Sequence, residues 1–187
     1  MNREQLAHVL RAASRIVEDG DIVVLGSQSI LGTHDESDLP EEATISIEAD
    51  VAFLHDDPDA SKADLVDGAI GEGSPLHSTH GYYGQGVELA TAVLPRGWRD
   101  RLVAFDRADA EPARARCLDA HDLAVAKLVA GREKDVSFVT ALVAAGLVSP
   151  ALLVERTEAL DVVGAVRRRV VLRIQRIEAS ARDADPG

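Results

Sequence analysis

The sequence is poor in cysteine, in aromatic residues and in long apolar runs, and each scarcity excludes a class of protein. Its single cysteine, Cys117, cannot form an internal disulfide, which excludes a disulfide-stabilised scaffold and predicts a reducing, cytoplasmic location. No run of about 18 apolar residues is present, so the sequence excludes a transmembrane helix and predicts no membrane partner. Residues 1–21 are charged and helically patterned, and they lack the apolar centre of a signal peptide.

The six aromatic residues are too few for an aromatic-rich β-sandwich, and the apolar residues are mainly Ala, Val and Leu. A core of this kind depends on many small contacts, which suits helices packed on a sheet. The length of 187 residues favours one well-packed domain. We therefore predict a single domain over residues 1–187, with a sheet-containing part at 1–118, a helical part at 119–181 and a frayed tail at 182–187.

Charge is distributed unevenly along the chain, whose net charge is −12. Residues 1–95 carry 4 Lys/Arg against 18 Asp/Glu, whereas residues 96–187 carry 16 against 14. The acidic half repels nucleic acid unless divalent metal neutralises part of it. The second half, whose positive charge is mainly arginine, is suited to phosphate groups. A soluble protein with an acidic surface explains this distribution equally well, so charge alone assigns no function.

Apolar spacing alternates between helical and strand periods along the chain. In the first half it predicts a helix at 3–17, a strand at 22–25, a turn into a helix N-terminus at 26–32, an acidic loop at 33–43, a strand at 44–55, a helix at 59–71, an irregular loop at 72–86 and a strand at 87–95. In the second half it predicts short strands at 102–106 and 113–118, then helices at 120–131, 132–146, 149–160 and 161–181. This order predicts one α/β or α+β domain with a mixed sheet.

The strand predicted at 44–55 carries two acids on one face. Because side chains alternate along a strand, Glu48 and Asp50 point the same way, opposite to the apolar residues. The predicted apolar face consists of Ile45, Ile47, Ala49, Val51 and Phe53. Two carboxylates that converge repel each other unless a cation lies between them, and hard oxygen ligands suit Mg²⁺ or Mn²⁺.

Small polar residues directly follow the strand predicted at 22–25. Gly26, Ser27 and Ser29 offer backbone N–H groups and hydroxyls at the start of a helix, where phosphate oxygens bind well. A Gly-Ser turn is usually structural, and an acid pair on a strand usually faces solvent. Together, one element apart, the two features predict a site that positions a nucleoside triphosphate with its metal.

Gly26-Ser27 followed by Glu48-Ala49-Asp50-Val51 resembles the signature of the DNA polymerase β-like nucleotidyltransferase superfamily. The segment at 118–143 resembles the helical motif of AbiEii-type toxin nucleotidyltransferases and related uncharacterised bacterial proteins. The resemblance covers about residues 20–145. It implies a polymerase β-like fold and transfer of a nucleotidyl group from a nucleoside triphosphate.

The resemblance also implies roles for the charged residues of the helical segment. Lys127 matches the lysine of one family helix, and Lys134-Asp135 matches the pair that begins the next, with Arg132 just before it. Lys127 would neutralise triphosphate charge as pyrophosphate leaves, and Arg132 and Lys134 would grip the β- and γ-phosphates. Asp135 would hold Lys127 or Lys134 through an ion pair. The predicted catalytic residues are therefore Glu48, Asp50, Lys127 and Asp135, with Glu48 and Asp50 as metal ligands.

Three features depart from the family pattern. Twenty residues separate Ser27 from Glu48, and the first acid is Glu rather than Asp. A third carboxylate, common in the superfamily, is not evident. Glu88, on the strand predicted at 87–95, is the candidate third metal ligand, although a position at the surface end of a strand explains this residue more simply.

Three functional hypotheses remain open at this point. The resemblance implies nucleotidyl transfer onto the 3′ end of tRNA in a toxin–antitoxin-like system, with a cognate antitoxin as partner. Few stacking residues and a net charge of −12 argue against tight nucleic-acid binding, which leaves open a protein acceptor, for example AMP transfer onto a toxin with this chain as the antitoxin. The Glu-for-Asp replacement and the missing third acid favour a degenerate, non-catalytic nucleotide-binding module.

Overall fold

The computed structural model of the chain describes residues 1–57 and 61–184, which form eight α-helices and five β-strands. The helices are α1 (Arg3–Val17), α2 (Glu41–Thr44), α3 (Lys62–Ile70), α4 (Pro75–His80), α5 (Ala120–Ala130), α6 (Glu133–Ala144), α7 (Pro150–Glu158) and α8 (Gly164–Ala184). The strands are β1 (Ile22–Val24), β2 (Glu48–Phe53), β3 (Tyr83–Gly86), β4 (Val103–Ala104) and β5 (Arg116–Cys117). No helix in the two described ranges is long and apolar enough to cross a membrane.

The five strands form one mixed sheet in the order β3-β2-β1-β5-β4. Strand β2 runs antiparallel to β1 and parallel to β3, whereas β5 runs parallel to β1 and antiparallel to β4. The register places Glu48 beside Tyr83, and Asp50 beside Gln85. A mixed sheet combined with helices confirms the predicted α/β or α+β fold class.

Helices α1 and α3 cover one face of the sheet at β3. Helix α1 begins at a capping box between Asn2 and Gln5, and its apolar stripe is buried. Gly84 of β3 lies so close to both helices that a Cβ there would be 2.7 Å from Val9 Cγ1 and 3.0 Å from Ile70 Cδ1. Because these helices occupy one face, the acids of β2 lie on the other, which is turned toward α5.

Helices α5 to α8 pack on one another through buried aliphatic side chains. These include Leu123, Leu128, Leu142, Leu153 and Val170. Each of the four helices begins and ends within three residues of its predicted bounds, because an apolar stripe of helical period marks each one. Helix α8 continues to Ala184, beyond the predicted end at 181, and residues 185–187 of the predicted frayed tail lie outside the described residues.

An arginine of α8 caps the C-terminus of α5. Helix α5 ends at Gly131, which adopts the left-handed conformation with φ of 65°. The Arg173 guanidinium donates to the carbonyl oxygens of Leu128 at 2.6 Å and of Gly131 at 3.5 Å. A cation at a helix C-terminus satisfies carbonyls that lack a partner within the helix. The last helix thereby fixes the turn between α5 and α6.

The chain between 72 and 95 differs from prediction. The loop predicted at 72–86 contains α4 and β3, and the strand predicted at 87–95 is absent, its place being taken by a short 3₁₀ helix at Leu89–Thr91 and extended chain. Strand β3 carries Gly84 and Gly86 where α1 and α3 approach too closely for side chains, so it lacks the apolar alternation of a strand. The Val87 amide still donates to the Val51 carbonyl oxygen of β2 at 2.9 Å, and the apolar residues that follow pack on the core outside the sheet.

The segment before β2 also differs from prediction. Residues 41–44, divided in the prediction between the acidic loop and the strand, form helix α2, whose first turn carries Glu41 and Glu42. Strand β2 begins only at Glu48, so Ile45 and Ile47 are 66% and 47% exposed, and their placement on the apolar face was wrong. Ala49, Val51 and Phe53 are buried as predicted. The helix predicted at 59–71 corresponds to α3, and its first predicted residues lie outside the described ones.

Alanine substitutions at two glycines, one in β3 and one in α3, test the close packing of these two elements. A Cβ on Gly86 would overlap the carbonyl oxygen of Ala63, whereas a Cβ on Gly68, within α3, would meet no atom. We expect Gly86→Ala to lower the free energy of unfolding by about 2 kcal/mol, and Gly68→Ala to raise it by up to about 1 kcal/mol. Urea unfolding of the two variants measures both changes. Equal stability of Gly86→Ala and the parent chain would contradict the close approach of α3 to β3.

Candidate functional site

A cleft of about 400 Å³ lies between the open face of the sheet and the helical part of the chain. Its floor comes from the end of β1, from β2 and from β3, and its wall comes from α5 and the start of α6. The cleft brings together seven of the nine predicted site residues, namely Gly26, Ser27, Glu48, Asp50, Lys127, Arg132 and Lys134. Asp135 and Ser29 do not line it.

The two acids of β2 lie side by side in this cleft and interact unfavourably. Burial, the neighbouring charge of Glu48 and a hydrogen bond with the Glu48 carboxyl group together raise the pKa of Asp50 to about 6. The positive charges of Lys127 and Arg132 act in the opposite direction but do not cancel these effects. A bound cation would relieve the repulsion between the two carboxylates, so the donor set fits a hard divalent ion.

Gly26 lets Asp50 approach the turn that follows β1. The Leu25 amide donates to the Asp50 carbonyl oxygen at 2.9 Å, which places the turn against β2. A Cβ on Gly26 would overlap the Asp50 carboxylate, and Gly26 has φ of 52°, which side chains disfavour. The turn continues into the short 3₁₀ helix Ser27–Gly32. Glycine at this position therefore permits both the turn and the contact with the acid.

The buried carboxylate of Asp135 positions two cations on one side of the cleft. Asp135, fully buried near the start of α6, accepts from Lys127 Nζ at 3.1 Å and from Arg132 Nε at 2.7 Å. Burial opposes ionisation of Asp135, but the hydrogen bond from Arg132 and the charge of Lys127 outweigh it and hold its pKa below the ordinary value. The predicted ion pair between Asp135 and Lys127 is present, and Arg132 takes the place proposed for Lys134.

Ser29 lies beneath the cleft, fully buried. Its hydroxyl donates to the Val24 carbonyl oxygen at 2.7 Å and accepts from the Leu118 amide at 2.6 Å. Both interactions join the turn to the ends of neighbouring strands. The structure therefore does not bring Ser29 to the position expected for a phosphate ligand, and it gives this residue a structural role.

The predicted third acid is also absent from the cleft. Glu88 is exposed and lines a separate depression with Phe53 and Ser61, because the strand expected around it does not form. The residue beside Asp50 in the register is Gln85, whose Nε2 donates to Asp67 Oδ1 at 2.6 Å. Within residues 1–57 and 61–184, no group of three or more His, Cys, Asp or Glu side chains is placed to hold a metal ion.

Two residues of β3 belong to the cleft region and were missed in the sequence. Gln85 lines the cleft, and the hydroxyl of Tyr83 lies 3.4 Å from Glu48 Oε2. Both fell in a segment interpreted as irregular, because the alternating glycines of β3 concealed its strand period. The Tyr-x-Gln spacing itself, which puts two polar groups on one strand face, is the signal that identifies them once β3 is recognised.

The far end of the cleft is aliphatic. Helix α5 contributes Leu123, Ala126 and Val129, and the chain after β3 contributes Val87 and Val93. No aromatic side chain of the described residues lines the cleft. The cleft thus combines an acid pair, a cluster of cations and an apolar end, an arrangement able to bind an anionic ligand that also carries an apolar ring.

The raised pKa of Asp50 predicts a pH effect on stability in metal-free buffer. Because its pKa is about 6 in the folded chain and 3.8 ordinarily, folding favours the protonated form, and stability decreases as the pH rises from about 4 to 6. Asp50→Asn removes this loss. We expect the variant to gain up to about 3 kcal/mol relative to the parent chain between pH 4 and pH 7, measured by urea unfolding with a chelator present. The exposed Asp38 provides the control variant Asp38→Asn, which should show no such gain.

The buried ion pairs of Asp135 predict that this residue contributes to the stability of the fold. Asp135→Ala leaves Lys127 without its partner in a largely buried position, so we expect the free energy of unfolding to fall by about 3 kcal/mol. Glu133→Ala removes the same charge from an exposed position in the first turn of the same helix, and its effect should stay within about 0.5 kcal/mol. Similar losses for both variants would show that Asp135 acts only through its charge near the helix N-terminus.

Comparison with protein families places the chain in a described family. The family model described as nucleotidyltransferase of unknown function (DUF6036) matches residues 4–179. Searches of curated proteins and of solved structures found no significant match. The matched range spans nearly all of the chain and includes every residue of the cleft. The chain belongs to this nucleotidyltransferase family.

Proposed function

We propose that the chain transfers a nucleotidyl group from a nucleoside triphosphate to an acceptor hydroxyl, with Mg²⁺ or Mn²⁺ as the required metal. The observation that carries the proposal is the cleft itself, in which Glu48 and Asp50 face Lys127 and Arg132 across about 400 Å³. Membership of a nucleotidyltransferase family supports the same reaction class. Two acids opposite a cation cluster are the parts that phosphoryl chemistry requires.

Glu48 and Asp50 would hold the metal together with phosphate oxygens of the substrate. A divalent ion bound there would neutralise charge on the triphosphate and orient its α-phosphate. The raised pKa of Asp50 supports this placement, because a cation between the two acids would remove the repulsion that contributes to it. Carboxylate oxygens also match the ligand preference of Mg²⁺ and Mn²⁺.

The triphosphate would lie between the turn after β1 and the start of α6. Ser27 and the adjacent backbone amides would donate to phosphate oxygens, while Lys127 would approach the oxygen that leaves with pyrophosphate. Arg132 and Lys134, both exposed at the mouth of the cleft, would contact the terminal phosphates. Asp135 touches no substrate in this arrangement and positions Lys127 and Arg132.

In the transfer step the acceptor oxygen attacks the α-phosphorus. The bond between the α-phosphorus and the oxygen bridging to the β-phosphate breaks, and pyrophosphate leaves in line with the attack. The hydroxyl proton passes to water. The aliphatic end of the cleft would receive the base or ribose without aromatic stacking, which favours tolerance over strict selection of the base.

An RNA acceptor, such as the 3′ end of tRNA in a toxin–antitoxin-like system, fits the exposed arginines of α8. Arg168, Arg169 and Arg176 are exposed on this helix, and Arg173 joins the same helix to the turn that precedes Arg132. Guanidinium groups in this arrangement can contact a phosphate backbone. A partner protein, such as a toxin receiving AMP, is the alternative acceptor, which the net charge of −12 favours.

A non-catalytic nucleotide-binding module is the second candidate function. It is favoured by one observation, the uncharged Gln85 in the strand position beside Asp50, which leaves the described part of the cleft with two acids. Such a module would bind metal and triphosphate but transfer nothing. It therefore predicts binding without product.

Label transfer tests the proposal. The chain is incubated with Mg²⁺ or Mn²⁺, each α-labelled nucleoside triphosphate, and either total tRNA or cell protein. We expect label on the acceptor, reduced at least about 100-fold in Asp50→Asn and unchanged in Asp38→Asn, because only the first variant alters the cleft. Label on tRNA identifies an RNA acceptor, and label on protein identifies a protein acceptor. Triphosphate binding without label favours the non-catalytic module, and absence of both contradicts the proposal.

A further inference from the structure

We propose that Tyr83 is a positioning residue that holds Glu48 in the orientation needed to bind the metal. The inference rests on the proposed function, in which Glu48 is a metal ligand. It starts from the register of the two parallel strands, which places Glu48 directly beside Tyr83 on the same face. The Tyr83 hydroxyl lies 3.4 Å from Glu48 Oε2 and donates to it.

Glu48 needs such a partner because of its length. A glutamate has one more rotatable bond than an aspartate, so its carboxylate samples more positions unless another group restrains it. Asp50 is restrained by burial and by the adjacent turn at Gly26, but Glu48 is only partly buried. The Tyr83 hydroxyl engages Oε2, and in the proposed site Oε1 would bind the cation, which would replace the hydrogen bond between Glu48 and Asp50.

Tyr83 is itself held rigidly, as a positioning residue must be. Its side chain is buried, with 8% of the residue exposed, and its ring lies 4.8 Å from the ring of His77 on α4. His77 Nδ1 accepts from the Gly73 amide at 3.0 Å, which fixes the imidazole in turn. Burial and the charge of Glu48 raise the pKa of Tyr83 to about 12, so its hydroxyl remains a donor at neutral pH.

The neighbouring tyrosine supplies a matched control. Tyr82 is equally buried, but its hydroxyl contacts His8 Nδ1 at 2.8 Å, on α1 and away from Glu48. Tyr82→Phe and Tyr83→Phe therefore remove the same atom from adjacent residues while both rings remain. Any effect of Tyr83→Phe that Tyr82→Phe lacks belongs to the contact with Glu48.

The test is a double-mutant cycle on Mn²⁺ affinity, measured by the paramagnetic signal of free Mn²⁺ with no nucleotide present. We expect Tyr83→Phe to weaken Mn²⁺ binding by about three- to tenfold, since one hydrogen bond to a charged ligand is lost. In the Glu48→Asp background, where the shorter arm cannot reach Tyr83, the same change should alter affinity by less than about twofold. Tyr82→Phe should have no effect in either background.

An equal loss from Tyr83→Phe in both backgrounds, or no loss in the parent chain, overturns the proposal. A second measurement covers the case in which Glu48→Asp binds Mn²⁺ too weakly for the cycle. The chain has two tyrosines, so Tyr82→Phe leaves Tyr83 as the sole tyrosine chromophore. We expect Mg²⁺ to perturb its ultraviolet absorption, and a saturating Mg²⁺ titration without any change in that band would overturn the proposal.

Asp50→Asn separates failure of this inference from failure of the proposed function. If Mn²⁺ binds the parent chain and Asp50→Asn equally, the metal site itself is misplaced and the proposed function fails. If binding depends on Asp50 but not on Tyr83, only the positioning role fails. Transfer activity at increasing Mn²⁺ concentration provides a further measurement. A positioning role predicts that excess Mn²⁺ restores most of the activity that Tyr83→Phe loses.

Discussion

The basic side of the cleft depends on one buried carboxylate. Asp135 is closed off from solvent, yet it is ionised because Lys127 and Arg132 both donate to it. Without it, the two cations would repel each other and turn toward water. With it, both cations are held on the wall of the cleft opposite the acids of β2, and in the proposed reaction they would be preorganised for an anionic substrate.

The geometry of the cleft explains part of the uneven distribution of charge along the sequence. The acidic first half supplies Glu48 and Asp50, and the arginine-bearing second half supplies the cations across the cleft. Within the cleft, each half of the chain therefore contributes charged side chains of one sign. In the proposed function, the acids would attract the metal and the cations would attract the triphosphate, although the chain as a whole is strongly acidic.

Much of the fold and of the cleft was predictable where the determining interactions are local. Glu48 and Asp50 are separated by one residue on a strand, and Lys127 and Asp135 lie on helices whose apolar stripes identify them. Strand β3 was not predictable in this way, because its glycines are set by the approach of α1 and α3, a tertiary constraint. The same limit explains the misplacement of Ile45 and Ile47, whose exposure depends on where β2 gains its neighbours.

The residues missed within the cleft follow from that one missed strand. Because β3 was interpreted as a loop, Tyr83 and Gln85 were not placed beside the acids, and Glu88, the candidate third acid, was assigned to a strand that does not form. Ser29 illustrates a different limit, since a hydroxyl near a phosphate site and a hydroxyl joining two strand ends look alike in sequence. Only the backbone partners of its oxygen distinguish the two roles.

The cap that Arg173 places on α5 connects α8, the last helix, to the cleft. This guanidinium holds the carbonyls of Leu128 and Gly131, one residue before Arg132 reaches into the cleft. Loss of these two hydrogen bonds would therefore loosen the turn that carries Arg132, whereas Glu48 and Asp50 lie on a strand that α8 does not hold.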